Sequence, residues 1–220
     1  MIQENLKALL SQIPDGVQLV AVSKFHPLEN ILEAYDAGQR FFAESRPQEL
    51  AEKVSRLDSS KYPGLEGHFI GHLKTNKLKM VLPYVSLVQS VDSVHLLQDI
   101  QKWGKANDRM IDVLLEVHIG AEETKQGFHE EEVVDLLFDS DKYPNIRFRG
   151  LMAMASHTND ESVIDADFER IDTFMAYLVD LFPELPDFNQ LSIGMSDDWK
   201  IAIHHGATII RIGTAIFGSR

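Results

Sequence analysis

Short runs of aliphatic, β-branched and aromatic residues recur along this chain. Each is followed by a longer stretch in which apolar residues return every third or fourth position. The first pattern marks a strand covered on both faces, the second a helix with one apolar stripe. Eight strands are predicted: Val17–Lys24, Arg40–Ala43, Gly67–Gly71, Val85–Gln89, Asp112–Ile119, Arg149–Met154, Gln190–Ile193 and Thr208–Ile212. The helices predicted between them carry recognisable ends. Leu28–Asp36 stops ahead of Gly38, and Pro47–Leu57 opens on proline. Lys74–Leu82 halts before Pro83, and Val94–Lys105 follows the capping pair Asp92-Ser93. Glu130–Phe138, Ile164–Leu181 and Asp198–His205 complete the series, and residues 3–11 form an extra helix ahead of the first strand.

Eight alternations of strand and helix are the count of a (β/α)8 TIM barrel. The competitor, a doubly wound open sheet, usually has fewer strands. No low-complexity tract or Pro/Gly/Ser linker divides the 220 residues, so one barrel domain over 1–220 is expected. In such a barrel the reactive groups sit at the C-terminal ends of the strands. Those ends read Lys24, Glu44-Ser45, His72, Ser90 to Asp92, His118, Met154 to His157, Ser192 to Ser196 and Arg211 to Thr214.

Composition narrows the function. Thirty-four acidic against 21 basic residues give a net charge of −13, which disfavours nucleic acid and anionic membranes as partners. A small anion remains possible where a few positive groups converge. With no cysteine, thiolate nucleophiles, disulfides and Cys-ligated metals are excluded. The first residues lack the basic start and apolar core of a signal peptide, and no run of 18 apolar residues occurs, so the cytoplasm is the expected location.

Lys24 ends the first strand. Shielding by barrel walls would favour the neutral amine, the form that attacks an aldehyde to make a Schiff base. A solvated strand-end lysine is the competing reading, and position alone favours it. Ser192-Ile193-Gly194-Met195-Ser196 joins the seventh strand to a helix and can cradle a phosphate, with Ser196 as a plain helix cap the alternative. Arg211-Ile212-Gly213-Thr214 ends the eighth strand, and phosphate sites recur between these two loops in barrels of this type. Arg211 stands in an apolar run and needs a partner if buried, a neighbouring carboxylate being the plain choice. His68 and His72 lack the glutamate of a zinc helix, and His204-His205 suits a helix end. Glu44, Glu116, Asp197 and Asp198 show no paired-carboxylate spacing. Met80, Met152, Met154 and Met195 read as core. No P-loop, GxGxxG or GxSxG motif is present.

Taken in order, LVAVSKFHP (19–27), AGQRFFAES (37–45), GHFIGHLKTNK (67–77), ETKQGF (123–128), RGLMAM (149–154), LSIGMSDDWKIAI (191–203) and RIGTAIFG (211–218) resemble the YggS/PROSC family of pyridoxal phosphate homeostasis proteins over nearly the whole chain. The resemblance implies a barrel like the N-terminal domain of alanine racemase, with pyridoxal 5'-phosphate held as a Schiff base on Lys24. It implies phosphate contacts from Ser192, Ser196 and the backbone of Gly213 and Thr214, and Arg211 facing the pyridine nitrogen. An arginine there keeps that nitrogen unprotonated and the ring a poor electron sink. Racemases of this type also take a second acid–base residue from an added β domain, for which this chain, ending after the eighth strand, has no length.

The expected function is therefore a monomeric carrier or regulator of intracellular cofactor, with pyridoxal-phosphate-dependent apo-enzymes as recipients and no metal. The alternatives are a small racemase-like enzyme acting on amino acids and a cofactor-free phosphosugar barrel. The chain departs from the family pattern at the rim. Ala43-Glu44-Ser45 stands where glycine then Glu-Asn is usual, Lys74 replaces a glutamine, and His72 replaces a small residue or proline.

Overall fold

The computed structural model describes residues 1–120 and 126–218. Residues 123–125 of the ETKQGF segment lie outside them. Eight parallel strands close into a barrel in sequence order: β1 (Gln18–Val22), β2 (Phe41–Glu44), β3 (Glu66–Phe69), β4 (Leu87–Val91), β5 (Ile111–Val117), β6 (Ile146–Ala153), β7 (Gln190–Ser192) and β8 (Ile209–Ile212). All eight predicted strands are present, shifted by a few residues at their ends. The main helices are α1 (Ile2–Leu10), α2 (Leu28–Asp36), α3 (Pro47–Ser55), α4 (Leu78–Val81), α5 (Val94–Ala106), α6 (Glu130–Phe138), α7 (Glu161–Leu181), α8 (Trp199–His204) and α9 (Thr214–Phe217).

Strand alternation divides the apolar residues into two cores. Leu19, Ala21, Phe42, Phe69, Val88, Val113, Leu115, Leu191, Ile210 and Ile212 belong to the larger cluster, which they share with the helices. Val20, Val22, Ala43, Leu87, Leu114, Met152 and Ile209 form a separate cluster inside the barrel. Because every strand is covered on both faces, the sequence shows near-continuous apolar runs rather than alternation.

β6 changes phase part-way. Ile146 and Phe148 pack with the outer core, and so do Leu151 and Ala153, three residues on rather than two. A bulge between the Val113 and Leu114 pairings absorbs the extra residue. The unpaired residue is Arg149, and next to it stands Gly150, whose φ is +140° and where a Cβ would lie 1.9 Å from the Gln190 carbonyl oxygen. Only glycine fits there. The bulge returns Met152 to the interior and brings the end of β6 over the barrel mouth.

One predicted helix differs, and one helix lies outside the predicted set. After β3 the chain forms a short 3-10 turn (Thr75–Lys77) and then only the single turn of α4. Thr75 and Asn76 are poor helix formers, and Pro83 leaves no room to extend. α9 was not expected, because four residues between Gly213 and Gly218 carry too little periodicity to read.

Candidate functional site

Closure of the barrel makes β8 the neighbour of both β1 and β7. Gln18 to Ala21 pair with Ile209 to Ile212, and Ser192 pairs with Ile209. The C-terminal ends of β7, β8 and β1 therefore lie side by side. Lys24, Ser192, Ser196, Arg211, Gly213 and Thr214 all belong to this one sector of the mouth, although they span most of the sequence.

Lys24 lies in the turn after β1, two residues beyond the interior Val22, and is half-buried. The turn is tied down on both sides. Ser23 donates its amide to the Ala43 carbonyl at 3.0 Å, and His26 donates back to the Ser23 carbonyl at 3.0 Å. Phe25 has a left-handed φ of +69°, unusual for an aromatic side chain. The Arg46 guanidinium lies 4.2 Å from its ring centroid.

Arg211 continues the interior position of Ile209 and is 4% exposed. Nη1 donates to the Ser192 carbonyl at 2.7 Å and to Ser192 Oγ at 2.6 Å, and Nη2 donates to the Ala153 carbonyl at 3.0 Å. The expected carboxylate partner is thus replaced by neutral acceptors. Burial lowers the guanidinium to about 10, opposed by the nearby charges of Glu116 and Asp198, so it is still a cation at neutral pH.

Ser192 is fully buried at the end of β7 and joins a chain of hydrogen bonds through the barrel. Its Oγ donates to Gln89 Oε1 at 2.6 Å, and Gln89 Nε2 lies 2.8 Å from His68 Nδ1. Burial lowers His68 to about 4. A neutral His68 accepts at Nδ1, which fixes the orientation of the Gln89 amide and then of the Ser192 hydroxyl. That hydroxyl has one proton, and it goes to Gln89. In this arrangement Ser192 holds Arg211 in place while its hydroxyl donates to Gln89.

Ser196 is half-buried in the turn before α8. Gly194, with φ +89°, allows the chain to leave β7 at that angle. The N-cap of α8 is Asp198, not Ser196. Its Oδ1 accepts from the Met195 amide at 2.5 Å, so this carboxylate is directed into its own loop. Gly213 packs tightly on β1, where a Cβ would come within 3.0 Å of the Val22 carbonyl oxygen. It opens α9, whose first amides have no carbonyl partner within the helix.

The rest of the mouth is polar. His72 Nδ1 lies 3.0 Å from Asp92 Oδ2, and Ser90 Oγ donates to the Gly71 carbonyl at 2.6 Å. His68 and His72 are thereby separated, one inside the barrel and one at its rim. His205 lies 2.8 Å from Asp165 on α7. Met152 is core as expected, but Met154 and Met195 are 36% and 40% exposed, on the loops after β6 and β7. Glu116 on β5 is raised to about 7, first by burial and then by Asp92, with Arg211 opposing.

This shift has a testable sign. Between about 4.5 and 7 the folded chain keeps a proton on Glu116 that the unfolded chain releases, so the stability tied to that proton is present at acid pH and lost as pH rises. Relative to Glu116→Gln, the native chain should lose stability as pH rises from about 4.5 and level off above about 7. Denaturant melts of both proteins across that range measure the difference, and a difference that rises with pH contradicts the burial of this carboxyl.

Sequence reasoning missed Gln89, Glu49 and Lys53, and weighed His68 only as a metal ligand. Gln89 and His68 lie on the interior faces of β4 and β3 and complete the chain to Arg211. Glu49 and Lys53, one helical turn apart on α3, reach the Lys24 turn. Interior parity signals the first pair and i, i+4 spacing the second, but neither says what is touched.

The family model for the alanine racemase N-terminal domain matches residues 1–220. The pyridoxal phosphate homeostasis protein of Vibrio alginolyticus is 37% identical over 231 residues, covering 100% of this chain and 97% of the relative. That of Escherichia coli K12 is 36% identical, covering 94% and 87%. PipY of Synechococcus elongatus, 36% identical over 99% of this chain and 100% of its own, superposes with a TM-score of 0.93 without pyridoxal phosphate and 0.91 with it bound. A Clostridium difficile alanine racemase superposes at 0.75 with 14% identity, over 100% of this chain and 56% of the racemase, a likeness of fold. With the eight-stranded barrel and the sector formed by β7, β8 and β1, these matches establish that the chain belongs to the pyridoxal phosphate homeostasis protein family, built on the alanine racemase N-terminal domain.

Proposed function

We propose that this protein binds pyridoxal 5'-phosphate at the C-terminal mouth of its barrel, as a Schiff base on Lys24, and serves as a carrier or regulator of the cofactor. The observation that carries this reading is the adjacency of the ends of β7, β8 and β1. It brings an amine, a buried cation and the first amides of α9 into one sector. The residues fit the group. Ser196 and the amides of Gly213 and Thr214 supply donors for a phosphate. Arg211, held from below by Ser192 and Ala153, offers its remaining N–H groups to the pyridine nitrogen. When bound, the cofactor supplies an aldehyde that traps amines reversibly. A cationic donor at the ring nitrogen keeps that nitrogen unprotonated and the ring a weak electron sink, which suits holding over turnover.

The protein acts as a monomer in the cytoplasm and releases its cofactor to pyridoxal-phosphate-dependent apo-enzymes. Among the described residues no helix is long and apolar enough to cross a membrane. The purified protein, reduced with borohydride and peptide-mapped, should carry the cofactor on Lys24 and lose its violet-region absorption. A colourless protein that stays unmodified after incubation with pyridoxal phosphate refutes the reading.

One observation favours the racemase-like alternative. Glu116, raised to about 7, is able to exchange protons near neutrality. Incorporation of solvent deuterium at the α-carbon of alanine or serine separates the two: rapid exchange supports the enzyme, and none supports the carrier.

A further inference from the structure

Behind the Lys24 turn lies a buried ionic cluster that the cofactor site does not itself use. Lys53, on α3, is 8% exposed. Its ammonium has three donors and three acceptors: the Ser23 carbonyl at 2.9 Å, Glu44 Oε1 at 2.6 Å and Glu49 Oε1 at 2.8 Å. Both carboxylates also hold the turn directly. Ser23 Oγ donates to Glu44 Oε1 at 2.7 Å, and the Phe25 amide donates to Glu49 Oε1 at 2.6 Å. The residues on either side of Lys24 are therefore fastened to one cation and its two counter-ions. Phe25 is held in a left-handed conformation that a non-glycine residue keeps only when its surroundings impose it. Two buried charges, with a third at their edge, are a costly way to fold a surface helix onto a strand, since apolar residues of the same size would pack there at no desolvation cost. The cluster is better explained by what it fixes.

We infer that Glu44, Glu49 and Lys53 are positioning residues for Lys24. They set the Ser23–Phe25 turn, and with it where the Lys24 amine stands over the barrel mouth, and so govern how fast bound pyridoxal phosphate is captured covalently. The inference rests on Lys24 as the covalent anchor. The two ties to the turn are separable. The Glu49 contact with the turn runs through the Phe25 amide, and Glu49 lies at the edge of the cluster, its side chain 19% exposed. Removing Glu49 leaves Lys53 with Glu44 and the Ser23 carbonyl, so the buried charges are still paired. Removing Lys53 strands two carboxylates, and that variant is expected to lose its fold.

The test is Glu49→Ala in the full chain, with Glu49→Gln as the conservative partner, because a glutamine oxygen still accepts from the Phe25 amide. In cofactor-free protein, amide exchange at Phe25 should speed up by roughly tenfold in Glu49→Ala. On adding pyridoxal phosphate, total binding should match the unmodified chain, while the absorbance change of covalent capture slows by roughly tenfold, as expected of a reacting group displaced by a fraction of an ångström. Glu49→Gln should recover most of both effects. A Lys24 adduct in the unmodified chain together with unchanged capture in Glu49→Ala overturns the positioning role alone, and so does unchanged exchange at Phe25. No Lys24 adduct in the unmodified chain overturns the anchor and, with it, the inference.

Discussion

Lys24→Ala should abolish the borohydride-trapped adduct completely while leaving a folded protein that still binds pyridoxal phosphate. The two halves of this result come from different parts of the mouth. The covalent link depends on one amine in the turn after β1. The proposed phosphate donors lie in the loops after β7 and β8 and the proposed ring-nitrogen donor, Arg211, on β8 itself, and none depends on Lys24 for its geometry. Ser192 is held by Gln89, Arg211 by Ser192 and Ala153, and the Met195 loop by Asp198. Loss of the link should weaken binding on the order of 3 kcal/mol, or roughly a hundredfold. The variant should lose the absorption band of the Schiff base and bind the cofactor as free aldehyde, which equilibrium dialysis quantifies. Binding that vanishes altogether would mean that the β7–β8 sector contributes little. An adduct that persists on another lysine would move the anchor elsewhere at the mouth, where Lys74 is the exposed candidate after β3.

The barrel was readable because strands covered on both faces and helices with one apolar stripe leave different periodicities, and the chain repeats the pair eight times. Its local corrections trace to short-range chemistry. Thr75 and Asn76 shorten the helix after β3, and Asp198, rather than Ser196, stands at the N-cap of α8 with its carboxylate turned back to the Met195 amide. The site was readable in outline for a related reason. In a closed parallel barrel the last residue of any strand faces the same end, so Lys24 and Arg211 could be placed at the mouth without knowing any contact. What stayed hidden were the contacts that join distant strands. Ser192 meets Gln89 across 103 residues of sequence, and Lys53 meets the Ser23 carbonyl across 30. A serine at a strand end reads as a loop donor until the glutamine across the barrel takes its proton. Lys53 reads as a solvated lysine on an amphipathic helix until its neighbours bury it. The exposed Met154 and Met195 misled in the opposite direction, because apolar type alone does not separate a core residue from the wall of a mouth.

Arg211→Ala should cost heavily in stability while leaving a folded protein. The substitution removes a fully buried cation and leaves the Ser192 carbonyl, the Ser192 hydroxyl and the Ala153 carbonyl without their donor. It also leaves the cluster of Glu116, Asp92 and Asp198 without the positive charge that offsets it. Removing one member of a buried charged network costs about 3–5 kcal/mol, which for a chain of this length is a fall in Tm of roughly 10 °C. Ser192→Ala should cost less, about 1–2 kcal/mol, because Arg211 keeps two carbonyl acceptors and only Gln89 Oε1 is left unsatisfied. The two variants separate stability from cofactor recognition. If Arg211 faces the ring nitrogen, Arg211→Ala should shift the absorption of the loaded protein and weaken binding. Ser192→Ala should produce a smaller shift of the same sign, since it only loosens the guanidinium. A purely structural arginine predicts the same loss of Tm with an unchanged spectrum. Arg211→Lys sharpens the distinction, because a lysine keeps the charge but cannot hold the Ser192 and Ala153 oxygens while also donating toward the mouth. It should recover part of the stability and little of the spectrum.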